Sequence, residues 1–449
     1  MSGPKVVRIV SREEVVAICE GLLAQLDAAH QEWLRVGRRN GLVSDGEVAT
    51  VEARHAQTRA LLRGNRFLDL QRAVPGEIAA LRDDQERRLA RAAAEAAAAR
   101  AAERRVSAVA MSVLASLTAA GTAVPSELRR DLDDAAAGGA NGGGAIARGF
   151  ALLDQVAAPA VTEDQRALAA ALKDGNDRLN VEEWLAKQPA SADDQSFIKL
   201  DRHVATLRGL GRGADAASFE ARLAELARSA SGSARALRLD SLELDLARAV
   251  GEAKARASVQ ARLRGIAAEL AQIGSEATKS EAAAVLAGLE ESIEALAKQE
   301  VLTKVVLEGA KKEIAARGRR SAVLEGLASL GYQVSEQMET AWVENGRVVL
   351  KKTSQPGYGV EIGGGADAAR VQMRTVAFRG ASDTADPARD RDAETIWCGD
   401  LDRLRTRFAE RGGEIAVEKA LGVGEVPLRV VTETGVDPME RGRQATVPR

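Results

Sequence analysis

Val6 to Val10 form a β-branched run, and Ser11 with Glu14 makes the S-x-x-E box that satisfies open amides at a helix start. Beyond the box, Val15, Cys19, Leu22, Leu26, Ala29, Trp33 and Val36 recur at alternating spacings of four and three. That spacing places all seven on one helix face, a heptad seam suited to pairing with a second helix. After a stop at "NGLVSDGE", Val48, Val51, His55, Thr58, Leu62 and Asn65 continue a more polar helical stripe. A turn is expected at Pro75. From there to Leu117 no proline intervenes, and the alanine- and arginine-rich stretch from Arg87 to Arg105 favours one helix of about forty residues.

"AAAGGANGGG", Ala135 to Gly144, reads as a linker or exposed loop, because glycine loses more backbone entropy than any other residue in a helix. Helical patterning resumes with a capping box at Thr162 and short helices over Glu182–Lys187 and Phe197–Leu207. Long helices are expected from Ala216 to about Ile273 and from Ser280 to Arg317.

Past Leu330 the period changes. Asn345-Gly346, flanked by apolar alternation, predicts a type I′ hairpin, and Pro356-Gly357 predicts a second turn. Tyr358, Val360 and Ile362 share one face of a strand; Val371, Met373, Thr375 and Ala377 share one face of the next. The expected result is a four-stranded antiparallel meander covered by a helix from Arg391 to Glu410 through Ile396, Trp397, Leu401, Leu404 and Phe408. A last short strand is expected at Pro427–Val431.

The fold class is therefore mainly α, long helical hairpins or coiled-coil-like bundles, with a small C-terminal α+β domain. The expected divisions are a bundle over 1–134, a glycine-rich linker at 135–144, a second helical region over 145–328, the α+β domain over 329–431 and a disordered tail from 432 to 449. Composition agrees: aromatics are only 3% of 449 residues, and cores built largely of alanine suit closely packed helices. The Ala/Arg/Gly bias resembles GC-rich coding and suggests a bacterial chain.

Charge narrows the function classes. Lys plus Arg number 63 against 65 Asp plus Glu, so the chain lacks the overall basic footprint of a dedicated nucleic-acid binder. Cys19 and Cys398 are far apart, and His30, His55 and His203 have no companion at metal spacing, which argues against a zinc module and for a reducing compartment. The start has no signal-like apolar run and no window reaches the length of a membrane span, so a cytoplasmic location is expected.

The glycine-rich "GYGVEIGGG" lacks the strand–turn–helix context of a phosphate loop, since another strand follows it. Asp174 to Glu183 opens like a calcium loop, but Leu179 stands where glycine is needed. Asp390, Asp392 and Glu394 are a candidate Mg²⁺ group, weighed against an ordinary acidic first helical turn. Cys398 reads as a packed thiol for want of a neighbouring base or positive field. Arginines between 87 and 105, and "KKEIAARGRR" near Lys311, are candidate contacts to nucleic acid or acidic lipid, weighed against solvated helix faces.

Arg347, Lys351, Lys352, Tyr358, Arg370 and Arg374 are candidates for a client- or anion-binding surface on the sheet. Val15, Leu22, Leu26, Trp33 and Val36 are the candidate seam toward a partner. These features predict a non-catalytic scaffold or adaptor in a multiprotein complex, self-associating or bound to another subunit, with no cofactor and no membrane contact. The alternatives are a nucleic-acid-associated protein of a defence or chromosome-maintenance system, and a divalent-metal enzyme acting through the C-terminal domain.

Overall fold

The computed structural model describes residues 3–139, 142–156, 192–229, 232–379 and 386–431. Twelve helices and six strands occur among them. The capping box at Thr162, the calcium-loop-like segment, the helix expected at Glu182–Lys187 and the tail from residue 432 lie outside the described residues.

The chain divides into two compact units, neither continuous in sequence: Met1–Glu32 with Asp45–Leu81 and Val259–Arg449, and Trp33–Ser44 with Arg82–Ser258.

In the first unit, β1 (Lys5–Val10) leads into α1 (Arg12–Arg39), whose Glu14 amide donates to Ser11 Oγ at 3.2 Å as the capping box predicts. The Glu14 carboxylate does not close the box. It instead accepts a forked pair of bonds from Arg319 at 2.5 and 2.9 Å. The seam residues Leu26, Trp33 and Val36 are buried, while Val15 and Leu22 are half-buried. The last turns of α1, from Trp33 on, belong to the second unit, where Trp33 Nε1 donates to Asp84 at 2.9 Å. α2 (Asp45–Arg63) buries Val48, Val51, His55 and Thr58 of the expected stripe; Leu62 is half-buried and Asn65 is exposed beyond the helix end.

α3 (Phe67–Ala119) runs through Pro75 rather than turning there. A proline inside a helix costs about 3 kcal/mol. Leu70, Val74, Ile78 and Leu81, all buried at helical spacing on both sides of it, offset that cost by holding the helix in register.

In the second unit, α4 (Ser126–Ala136) and α5 (Gly142–Val156) pack on the end of α3 through Ala110, Val113, Leu117, Leu128, Leu132 and Ile146. Gly142 to Gly144 are thus the first turn of a helix, not part of a linker. The reason is close approach: a Cβ on Gly142 would clash with Val106, and one on Gly149 would lie 2.5 Å from Val113. α6 (Ala192–Gly209), α7 (Gly213–Arg228) and the first part of α8 (Ser233–Ile273) share a core around Leu200, Val204, Leu242 and Leu246. The long helix expected from Ala216 is therefore two helices, α7 ending at Arg228 with its Ser229 cap in extended geometry.

The end of α8 returns to the first unit and packs with α9 (Glu276–Ala287) and α10 (Ile293–Ala328). Ser275 and Ser292 cap these two helices, accepting from Thr278 N and Ala295 N, and this punctuation divides the single helix expected from Ser280.

The antiparallel sheet has the order β2-β3-β4-β1-β5, with β2 Arg347–Lys351, β3 Tyr358–Gly364, β4 Arg370–Phe378 and β5 Glu414–Ala420. A short β6 (Arg429–Val431) pairs parallel to the end of β4. Two features differ from expectation. Met338–Asn345 is a helix, α11, and Gly346 (φ 66°) is its left-handed cap, donating to Trp342 O at 2.9 Å. A positive-φ glycine serves a helix end as well as a hairpin, and the burial of Trp342 in the core selects the helix. Second, the N-terminal Val6–Val10 run is the strand between β4 and β5, with Val7 and Ile9 fully buried. The turn at Pro356-Gly357 is as expected, with Gly357 at φ 88°.

α12 (Pro387–Glu410) covers the sheet with Trp397, Leu401, Leu404 and Phe408; Ile396 is exposed. Together with α10 and α11 it closes a core containing Val348, Leu350, Val360, Ile362, Val371 and Met373.

Candidate docking face of the C-terminal sheet

Side chains alternate across a strand, so the core residues of β2, β3 and β4 fix where their neighbours point. Val348 and Leu350 face inward, which sends Arg347 and Lys351 outward and Lys352 back inward. Val360 and Ile362 face inward, which sends Glu361 outward; Val371 and Met373 do the same for Arg370 and Arg374. The structure thus brings four of the six predicted surface residues, Arg347, Lys351, Arg370 and Arg374, onto one face. The other two belong elsewhere.

Lys352 is buried against Asp400 of α12, which also accepts from Tyr332 OH at 2.7 Å and from Arg403 at 2.5 Å. Burial, and then the bond to Asp400, push the Tyr332 phenol up. This is an internal staple between strand and helix. Tyr358 donates to Asp390 Oδ1 at 2.9 Å beside Arg379, which pairs with the same oxygen.

The outward face has an acidic centre. Glu361 is only 4% exposed and pairs with Arg374 at 2.7 Å and Arg429 at 2.8 Å, with Arg347 3.9 Å away. Arg429 comes from β6, so that short strand supplies a residue the meander alone lacks. Gly359 opens a further feature. A Cβ there would lie 2.8 Å from the Phe378 ring, so glycine lets the ring lie across the strand, with Lys351 Nζ 4.8 Å from its centroid.

β1 and β5 extend the face. The register sets Arg8 beside Arg370 and Ala416, and sets Lys419 and Glu414 opposite the outward Val6 and Val10. Arg370 reaches Glu418 at 3.0 Å and its side chain is 72% exposed. The outward residues Arg8, Arg347, Lys351, Arg370, Arg374, Lys419 and Arg429 stand against Glu361, Glu414 and Glu418. Residues 331–449 hold 17 Lys/Arg and 19 Asp/Glu, so the excess on this face is charge segregation within a balanced domain.

Two of the three acids expected as a metal group, Asp390 and Glu394, are otherwise engaged. Asp390 is bound as described, Asp392 is exposed, and Glu394 is buried and accepts from Gly424 N at 2.7 Å. Burial raises the Glu394 pKa, partly countered by that amide. Among the described residues no group of three or more His, Cys, Asp or Glu is placed to hold a metal ion. Cys398 has a positive neighbour that the sequence hides: Lys5 of β1 places Nζ 2.9 Å from its Sγ.

The basic helix stretches are also paired internally. Arg87 and Arg88 meet Asp84, Arg91 meets Glu95, Arg100 and Arg104 converge on buried Asp201, and Arg105 reaches Asp194. Near Lys311 the same holds: Lys311 meets Glu269 at 2.8 Å and Arg319 meets Glu14. No helix of the described residues is long and apolar enough to cross a membrane. No protein-family model, curated protein or solved structure matches the chain.

Proposed function

We propose that this chain is a non-catalytic scaffold or adaptor subunit of a bacterial, cytoplasmic multiprotein complex, and that it docks an acidic protein client on the outer face of its C-terminal sheet. The observation that carries the reading is the segregation of seven basic side chains onto the face that the core helices leave uncovered. Exposed charges of this kind add little to folding, yet they steer encounter and select a partner of opposite sign.

A protein client fits this face better than single-stranded nucleic acid. Stacking platforms present several open aromatic rings, whereas here Phe378 is half-buried beneath Lys351. The arginines of the long helix, which would have enlarged a nucleic-acid footprint, are neutralised by their own carboxylate partners.

Affinity purification of the full chain from native extract, with the mass of the eluted complex measured by light scattering, tests the reading. The expected result is a stoichiometric acidic partner that is released as ionic strength rises, because such charges are screened by salt. Recovery of the chain without a protein partner, or with nucleic acid that survives nuclease-free washing in its place, contradicts it.

A further inference from the structure

α10 carries two heptad-spaced stripes on roughly opposite sides. One is buried: Leu296, Glu300, Thr303 and Leu307, spaced four, three and four, pack inside the unit. Offset by two residues, and so turned by about 200° around the helix, a second stripe runs Glu294, Lys298, Val301, Val305, Glu308 and Lys312 at the same alternating spacing. Every one of these six is exposed. Val301, Leu302 and Val305 have exposures of 62%, 66% and 67%.

Exposed β-branched residues are poor helix formers and gain nothing from water, so a seam of this kind calls for a second helix. Its charge order identifies that helix. In an antiparallel pair, setting Val301 of one copy against Val305 of the second copy also sets Lys298 against Glu308 and Glu294 against Lys312. All these contacts occur twice by symmetry, and each charge meets its opposite. Ala297 and Gly309 then oppose each other beside the seam, and no atom lies within 4 Å of a Cβ built on Gly309, leaving room for close approach. The Lys304 stem, its ammonium held by Glu300 at 2.7 Å, falls against Leu302 of the second copy.

We propose that the chain forms a two-fold dimer through antiparallel pairing of α10, centred on Val301 and Val305 and registered by the Lys298–Glu308 and Glu294–Lys312 pairs. Self-complementarity under reversal distinguishes a second copy from an unrelated helix, which would have no reason to match this order. The within-helix approach of Lys311 to Glu308 is 3.6 Å long, with Glu308 exposed and Lys311 already held by Glu269 at 2.8 Å, so Glu308 can exchange it for the intermolecular pair. The dimer does not depend on the client face.

Sedimentation equilibrium of the purified full chain tests it. The wild type is expected at twice the chain mass of 47.3 kDa, in a concentration-dependent equilibrium. Lys298→Glu and Glu308→Lys singly place like charges in register twice and raise the dissociation constant roughly tenfold or more. The double variant Lys298→Glu/Glu308→Lys restores opposite charges and recovers the wild-type constant. Val305→Asp gives monomer with unchanged circular dichroism, since the side chain is exposed. A wild type that stays at monomer mass up to about 100 µM overturns the proposal. So does a dimer indifferent to the single reversals, or one that the double variant fails to restore.

Discussion

The two faces of the C-terminal sheet are built from the same strands, one residue out of step, and differ in nearly every physical respect. The inner face holds Val348, Leu350, Val360, Ile362, Val371 and Met373 against Trp397 and Leu404, and its charged residues Lys352 and Asp400 neutralise each other out of water. The outer face holds arginine and lysine in excess, mostly in contact with solvent. The inner face makes the fold, and the outer face, where Arg347, Lys351 and Arg370 are exposed, is the one turned to solvent. Glu361 is the instructive exception: it points outward yet is buried, ringed by Arg374, Arg429 and, farther away, Arg347. A carboxylate held this way fixes the arginines around it, giving the outer face a defined geometry and not merely a charge.

The largest losses are expected on the inner face. Trp397→Ala removes a fully buried indole and should cost about 3–5 kcal/mol in urea denaturation, the usual cost of such a cavity. Asp400→Ala leaves the Lys352 ammonium buried without its carboxylate, and a loss of about 3–5 kcal/mol is expected there too. If instead this variant unfolds at the wild-type midpoint, Lys352 reaches water and the staple is not structural.

Acid separates the sheet from the helices before it. His30 and His55 meet edge to face, with ring centroids 4.6 Å apart, and both are buried. Burial, then the His30 charge, lowers the His55 pKa from 6.5 to about 4, with Asp27 opposing and Arg59 and Arg54 adding to the shift. The unfolded chain takes up a proton below pH 6.5 that the folded chain refuses until about pH 4. Stability is therefore fully present above pH 6.5 and lost as pH falls through this window, by about 3 kcal/mol in total. His55→Phe should flatten that slope in a pH series of denaturation midpoints, and because residues 331–449 contain no histidine, substitutions in the sheet should not.

On the outer face the effects shrink. Glu361→Gln keeps the shape and removes the charge that Arg374 and Arg429 share, and should cost about 1–3 kcal/mol. That cost would mark Glu361 as an outward charge on which folding depends. Arg347→Glu, Lys351→Glu and Arg370→Glu should each lie within about 0.5 kcal/mol of the wild type, as surface changes usually do.

Much of this architecture was legible along the chain. The capping box at Ser11, the buried stripe of α2, the turn at Pro356-Gly357 and the apolar alternation of β3 and β4 all follow from local chemistry. The features that escaped depend on contacts distant in sequence. Nothing near Val6–Val10 says that it pairs with residues 370–373 and 414–420, and nothing near Pro75 says that buried neighbours will carry a helix through it. Asn345-Gly346 shows the same limit, since its left-handed glycine suits a hairpin or a helix end equally until Trp342 finds the core. For the candidate face, period two was enough to group Arg347, Lys351, Arg370 and Arg374. The same alternation, applied strictly, also turns Lys352 inward. Arg8 and Arg429 could not be added from sequence, because β1 and β6 join the sheet from opposite ends of the chain.

The division of labour between the two faces is tested most directly by one triple variant, Arg347→Glu/Lys351→Glu/Arg370→Glu, assayed by retention of the co-purifying partner from native extract. A denaturation midpoint like that of the wild type and loss of the partner are expected. A triple variant that folds normally and still retains the partner in full would contradict it.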